Sequence, residues 1–383
     1  VKIAFVHNLP NGGAKRACYD FINGLVRNHK VDLFYIDKSS ESFLDLRKIV
    51  NNSFYFDGPT ILNGLNYFVS LFKANSVYKK IAKQIDSNDY DVVFVNPCKV
   101  TIAPLVLRYL NTPTCYYCHE PLARALEKHV VKKNSILILM KKLLLRLKIY
   151  IDKSNSLHSD LICANSLYSI ENIYRFFGKY PALCKIGIDT NKFINKNLDK
   201  NDDILCVGAL LEEKGQDFLI KSVSKIEDVP AIKFISNSCD EVYKDTLIKL
   251  AKKLNVKVSF KLLTNDDDLI NEYNKAKFVV FPSRLEPLGL VPLEAMSCGT
   301  PVVAVAEGGV RETVIHNKTG LLSSRDLYEF SSNIKLLLND EYLRKDLSNN
   351  CSKYVKENWS LEISNNDLEK NLLKTIKIKQ NNY

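Results

Sequence analysis

The chain has 383 residues, 46% of them apolar and 25% charged, with a formal net charge of +11. That length can house two domains with full cores, and that composition excludes a largely disordered chain. No uncharged apolar run reaches the ~18 residues of a membrane span. The positive charge suits an anionic partner: a phosphorylated small molecule, an anionic membrane face or nucleic acid.

Residues 3–6 open the chain as an apolar strand. No signal peptide is expected ahead of it, although a start at Val1 is compatible with trimming. Further strand-like runs follow at 31–36, 91–95, 113–118 and 161–164, separated by amphipathic stretches such as 14–28 and 74–85. A second series occupies 204–207, 232–235, 256–260, 278–281 and 301–305, again alternating with helical patterns. Runs of about 4–6 apolar residues with helices between them read as parallel, doubly wound sheets. The expected fold class is therefore α/β, with two Rossmann-like domains facing a central cleft, because ligands in such sheets sit at the carboxyl ends of the strands.

The polar segment 178–200 marks the seam, giving an acceptor-side domain over 1–187 and a second domain over 188–359. The charged helical tail, 360–383, is expected to return to the first domain. No internal repeat of 20–50 residues is present. The ten cysteines are scattered, and Cys115, Cys163 and Cys206 fall inside apolar strand runs. Such cysteines read as reduced, buried thiols of a cytosolic protein rather than a disulfide framework.

The most informative stretch is FPSRLEPLGLVPLEAMSCGTP, 281–301. A strand ends at Phe281, a loop with Pro282, Pro287 and Gly289 follows, and a helix begins near Leu290. Backbone N–H groups at a helix start, with a glycine allowing close approach, form an anion site. Glu286 lies in that loop and Glu294 about one turn into the helix. Carboxylates repel phosphate but accept well from vicinal hydroxyls, so the set suits a ligand carrying both phosphates and sugars. An isolated pair of glutamates would read as solvated charges; here the surrounding residues favour the ligand reading.

Glu286 and Glu294 with seven residues between them, inside the frame EPLGLVPLEAMSCGTPVVA, resemble the retaining GT-B glycosyltransferases of the group 1 class, family four. The resemblance continues through AEGGVRETV and Gly320-Leu321. Upstream it includes LCVGALLEEKGQDFLIKSV (205–223), NGGAKRACYDFINGL (11–25), ICANSLYS (162–169) and KIGIDTNKF (185–193). It thus covers nearly the whole chain.

Carried over by position, the resemblance implies that Glu294 binds the ribose of a nucleotide donor. Leu288, Gly289 and Leu290 would present backbone N–H groups to the diphosphate and sugar, Glu286 would hold the sugar hydroxyls, and Lys214 would neutralise the departing diphosphate. Gly13, in the glycine loop of the acceptor-side domain, is by the same resemblance a candidate for binding the donor. Lys15, Arg16 and Arg124 are candidates for an acceptor or a phosphate. One departure concerns Ala209, where the family usually carries arginine; Arg284 or Lys15 is the candidate replacement. A charged hydrogen bond to phosphate contributes ~1.5–3 kcal/mol, so its loss would weaken leaving-group stabilisation by about 10–100-fold. The glycine-rich turn usual after the second strand of this domain is also missing, and SNSCDE (236–241) stands there.

In TCYYCHEPLARALE (114–127), Cys115, Cys118 and His119 spell the CxxCH of covalent haem attachment. The motif continues a buried strand and has no second metal-ligand pair, which argues against both haem and zinc. The resemblance instead places His119 at a strand end beside the transferred sugar, where an imidazole would hydrogen-bond it. A purely structural, buried His119 is the alternative.

Segment 128–153 carries eight Lys/Arg against one Asp. On a helical wheel Lys141, Lys142, Arg146 and Lys148 share one side, and Met140, Leu143, Leu144, Leu147 and Ile151 the other. It reads either as an element lying on an anionic membrane or as a core helix with a solvated basic face. No aromatic-interleaved basic groove accompanies it, so nucleic acid is not expected as a partner. Asp266, Asp267 and Asp268 read as the acidic first turn of a helix rather than a metal site. The Asn-x-Ser/Thr triplets, as at Asn317, carry no meaning in a cytosolic chain.

The expected function is retaining transfer of a hexose from a nucleoside diphosphate sugar to an acceptor hydroxyl, on a glycan or a lipid-linked precursor. Neither cofactor nor metal is expected. The location is cytoplasmic, with peripheral association at the membrane face. The alternative is a catalytically impaired subunit or nucleotide-sugar-binding partner, motivated by Ala209. A dinucleotide-dependent oxidoreductase lacks the required G-x-G-x-x-G after a strand.

Overall fold

The computed structural model describes every residue except 11, 60–66, 125–135, 264, 382 and 383, and within helix Ile136–Leu157 it leaves out the side chains of 136–141. The chain divides into two compact units, Val1–Gly187 with Leu361–Tyr383, and Ile188–Ser360.

Among the described residues, the first unit holds seven parallel strands: β1 (Lys2–Asn8), β2 (Lys30–Tyr35), β3 (Asn52–Tyr55), β4 (Val92–Cys98), β5 (Thr114–Tyr117), β6 (Leu161–Ala164) and β7 (Ala182–Leu183). Their order is β3-β2-β1-β4-β5-β6-β7. The second unit holds six: β8 (Ile204–Val207), β9 (Ile232–Ser236), β10 (Val258–Leu262), β11 (Val279–Phe281), β12 (Val302–Val305) and β13 (Gly320–Ser323), in the order β10-β9-β8-β11-β12-β13. The α/β class expected from the sequence is thus present in both halves. In each sheet the order reverses beside the first strand, between β1 and β4 and between β8 and β11. Such a switch point opens a crevice at the carboxyl ends of the strands, because the following loops diverge there.

The central strands were legible because they are buried on both faces. β4 and β11 are buried at every residue. The three strands not expected, β3, β7 and β13, all lie at sheet edges. They are short, and β3 is mostly exposed, so no continuous apolar run marks it. β10 lies two residues later than the expected 256–260, on another edge.

Each unit packs its own core. Val93, Val95, Tyr116 and Ile162 anchor one, and Leu219, Phe234, Val303 and Ile334 the other. Helix Leu361–Asn381 packs on the first unit. Asn371 Nδ2 donates to the carbonyl of Leu183 at 3.0 Å, and Ser364 Oγ to that of Lys185 at 2.8 Å. Among the described residues, no helix is long and apolar enough to cross a membrane.

Candidate functional site

In the second unit the loops leaving β8 and β11 meet at the switch point. Gly215 closes the first loop with φ +70°, and a Cβ there would lie 2.3 Å from the carbonyl oxygen of Pro282. Only glycine permits that approach. The Arg284 N–H donates to the Glu213 carbonyl at 2.8 Å, fastening the two loops together. Lys214 Nζ then lies 2.8 Å from Glu286 Oε2, with both side chains about three-quarters covered. The candidate phosphate cation and the candidate sugar carboxylate therefore stand side by side.

Two further segments hold this arrangement. The Gly309 N–H donates to the Glu286 carbonyl at 2.8 Å, and a Cβ on Gly309 would lie 2.1 Å from the Pro287 carbonyl oxygen. Arg325 forms a fork with Glu307, Nε to Oε1 and Nη2 to Oε2 at 2.8 Å each. Its remaining donors reach the carbonyls of Pro282 at 3.0 Å and Ser283 at 2.8 Å. Burial pushes the Glu307 carboxyl up, but Arg325 outweighs it and holds the group below its ordinary range. Nothing in the 281–301 motif marks Arg325, since its backbone acceptors lie 43 and 42 residues away in sequence.

Gly289 precedes helix Leu290–Ser297. Pro292 has no N–H, so the donors of the first turn are the amides of Leu290 and Val291. Glu294 is 7% exposed, and its Oε2 accepts from the buried Tyr273 hydroxyl at 2.7 Å. Tyr273 belongs to helix Asp266–Lys275, whose first turn contains Asp266, Asp267 and Asp268. Asn265 caps it, accepting from the Asp268 N–H at 2.8 Å, and Lys192 pairs with Asp266 at 2.6 Å. The acids thus serve a helix N-terminus. Among the described residues, no three His, Cys, Asp or Glu are grouped to hold a metal.

Ala209 follows Gly208 at the end of β8, and its carbonyl accepts from Gln216 Nε2 at 2.8 Å. The neighbouring Leu210 forms a bridge with Cys239. The glycine-poor 236–241 segment is thereby tied to the β8 loop, and Asp240 caps helix Glu241–Lys253. Arg284 is exposed on the same loop as Glu286.

The remaining candidates belong to the first unit. His119 follows β5, and its Nε2 is buried without a hydrogen-bond partner among the described residues. Burial lowers its pKa from 6.5 to about 4, so the imidazole is neutral near pH 7. Cys115 and Cys118 are buried free thiols. Arg124 is buried, with Nε 3.1 Å from Glu120 Oε1 and its guanidinium over the Tyr168 ring. Gly13 begins helix Gly13–Leu25, and Arg16 one turn on lies over the Phe43 ring.

Lys15 is placed differently from the sequence expectation. It is fully buried, with Nζ 2.6 Å from Glu41 Oε1, an oxygen that also lies 2.9 Å from His7 Nε2. Burial pushes the lysine down, and it lowers His7 to about 4. Glu41 would be raised by burial, but His7 and Lys15 hold it below the ordinary range. With its ammonium sealed in this cluster, Lys15 presents no donor to a phosphate. The signal for this was the buried partner, Glu41, which no motif links to it.

Residues 187–357 match the family model described as Glycosyl transferases group 1. A Campylobacter jejuni relative, N-acetylgalactosamine-N,N'-diacetylbacillosaminyl-diphospho-undecaprenol 4-alpha-N-acetylgalactosaminyltransferase, is 25% identical over 95% of this chain and 97% of its own. A Corynebacterium glutamicum relative, GDP-mannose-dependent monoacylated alpha-(1-6)-phosphatidylinositol monomannoside mannosyltransferase, is 28% identical over 53% of this chain and 59% of its own. The chain spans about half the length of several curated relatives it matches, 49% and 43% for two archaeal ones. Among solved structures, Anabaena HepE in complex with UDP has a TM-score of 0.78 at 19% identity, covering 98% of this chain and 100% of that one. The likeness establishes a shared GT-B fold.

Proposed function

We propose that this chain, whose residues 187–357 form a Glycosyl transferases group 1 domain, moves a hexose from a nucleoside diphosphate sugar to an acceptor hydroxyl with retained anomeric configuration. One observation carries the reading: Lys214, Glu286, the start of helix Leu290–Ser297 and Glu294 gather at the carboxyl ends of β8 and β11. In this reading Glu294 accepts from the ribose hydroxyls, held in place by Tyr273. The Leu290 and Val291 amides and Lys214 take the diphosphate charge, with no metal or cofactor required. Glu286 holds the hydroxyls of the transferred sugar.

His119 is assigned to the same sugar, as the resemblance implies. The sugar C1–O bond to phosphate breaks while the acceptor oxygen bonds C1 from the same face. The acceptor's proton passes to the departing phosphate oxygen, so no side chain is needed as covalent nucleophile. The acceptor is proposed to be a lipid-linked or surface-glycan precursor at the cytoplasmic side of a membrane. The printed name of the Campylobacter relative, which aligns along nearly all of this chain, supports that class.

Incubating the chain with a panel of nucleoside diphosphate sugars and a membrane lipid extract tests the reading. Release of nucleoside diphosphate with an α-to-α or β-to-β product by NMR supports it; an inverted product refutes retention. Ala209 motivates a second reading, a catalytically impaired partner subunit. Donor binding without any turnover by the chain alone favours that one.

A further inference from the structure

The basic helix Ile136–Leu157 is more divided than its helical wheel implies. Leu144 and Leu147 pack on the first unit's core and Ile151 is buried, so three of the five expected apolar positions are ordinary core. Leu143 and Tyr150 instead point outward, 69% and 67% exposed. The rest of the expected segment, 128–135, lies outside the described residues, as do the side chains of Met140 and Lys141.

A second helix completes the surface. Helix Tyr67–Asp86 leaves Phe68 61%, Val69 57% and Phe72 77% exposed. Phe68 and Phe72 are one helical turn apart and therefore share a face. The two helices adjoin: Lys148 Nζ lies 4.9 Å from the centroid of the Tyr67 ring, and Phe68, Phe72, Arg108 and Ile151 line one shallow cavity. Nothing in the sequence pattern joins these helices, which β4 and β5 separate along the chain.

Charge selects the occupant. Lys73, Lys79, Lys80 and Lys83 are exposed on one helix, and Lys142 and Arg146 on the other. The only acids of the two helices are Asp86 and Asp152. Asp152 is buried and accepts from the Ala103 and Leu122 N–H groups at 3.0 and 2.9 Å. Asp86 accepts from those of Asn111 and Thr112 at 3.0 Å each. Both carboxylates are thus occupied by backbone amides, and the outward surface combines aromatic side chains with positive charge.

We propose that these two helices form a docking face for the surface of an anionic phospholipid bilayer, with Phe68, Phe72 and Leu143 entering the headgroup boundary and the cations meeting lipid phosphates. A second copy of the chain is a poor occupant, because a two-fold pairing would bring like charges together. The inference deepens the lipid-linked acceptor reading and is tested without donor or turnover, so either can fail alone.

The experiment is co-sedimentation of the whole chain with vesicles of phosphatidylcholine alone or mixed with phosphatidylglycerol, at low and high salt. Binding is expected only to the mixed vesicles and falls as salt screens the attraction. Each cation near the surface contributes roughly five-fold, so Lys142→Gln with Arg146→Gln weakens binding by about 25-fold. Phe68→Ser with Phe72→Ser, at exposed positions, lowers it at least as much while circular dichroism stays unchanged. Equal binding to both vesicle types, no binding, or variants that bind like the parent overturn the proposal. So does a dimer in sedimentation velocity that the Phe68→Ser, Phe72→Ser variant dissolves.

Discussion

Lys214 and Glu286 form an ion pair of 2.8 Å between two loops that leave neighbouring strands. In the proposed reaction the cation belongs to the diphosphate and the carboxylate to the sugar, so each restrains the other until both meet the donor. Glu286→Gln should therefore separate binding from turnover. Free nucleoside diphosphate is expected to bind as well as before, or up to roughly five-fold tighter, because Lys214 loses a competitor contributing at most ~1 kcal/mol. Turnover should fall by about 10–100-fold with the lost charged hydrogen bonds to sugar. Calorimetry and donor-release kinetics check this. Parallel loss of nucleotide affinity would show that Glu286 acts on the nucleotide.

Ala209→Arg tests whether the missing guanidinium is a real deficit. If the space beside Gly208 admits it, donor affinity or turnover should rise by about 10–100-fold, the value of one charged hydrogen bond to phosphate. Unchanged or lower activity in a folded variant would mean that another cation, with Arg284 the exposed candidate on the Glu286 loop, already serves the diphosphate.

Tyr273→Phe removes the hydroxyl donated to Glu294 and little else. The donor KM is expected to rise by about 10–100-fold, as for a hydrogen bond of ~1.5–3 kcal/mol to a charged group, with kcat nearly unchanged. A fall in kcat alone would contradict a role in holding the nucleotide.

How much of this was readable in the sequence depended on where each contact is made. The Glu286–Glu294 loop and helix is contiguous, so its composition and spacing declare it. The buried central strands announce themselves as apolar runs, whereas β3 and β7, short and at edges, have no such run. Tyr273, Arg325 and Glu41 act across gaps of 21, 43 and 26 residues, which no local pattern encodes. Lys15 illustrates the consequence. Its place in the glycine loop suggested a phosphate ligand, and only the fold reveals the carboxylate that holds it.

His119 should leave a signature in the pH dependence of stability. Burial depresses its pKa to about 4 from 6.5, so between those values the unfolded chain binds more protons than the folded one. Stability therefore rises with pH through that window, is complete above about 6.5 and is lost as pH falls toward 4. His119→Leu removes this contribution, and the parent-minus-variant stability, from urea titrations at each pH, should grow from pH 4 to 6.5. His7, depressed by its own burial, is present in both proteins and cancels. Parallel profiles would contradict a neutral His119 with its Nε2 buried.

The central claim is that the second unit holds a nucleoside diphosphate through Glu294. Its most direct test is isothermal titration of the common nucleoside diphosphates into the parent chain and Glu294→Ala. At least one base should bind the parent, and the variant should bind it about 10–100-fold more weakly, the value of a charged hydrogen bond to the ribose. A parent that binds none of them, or a folded variant with undiminished affinity, would contradict the account.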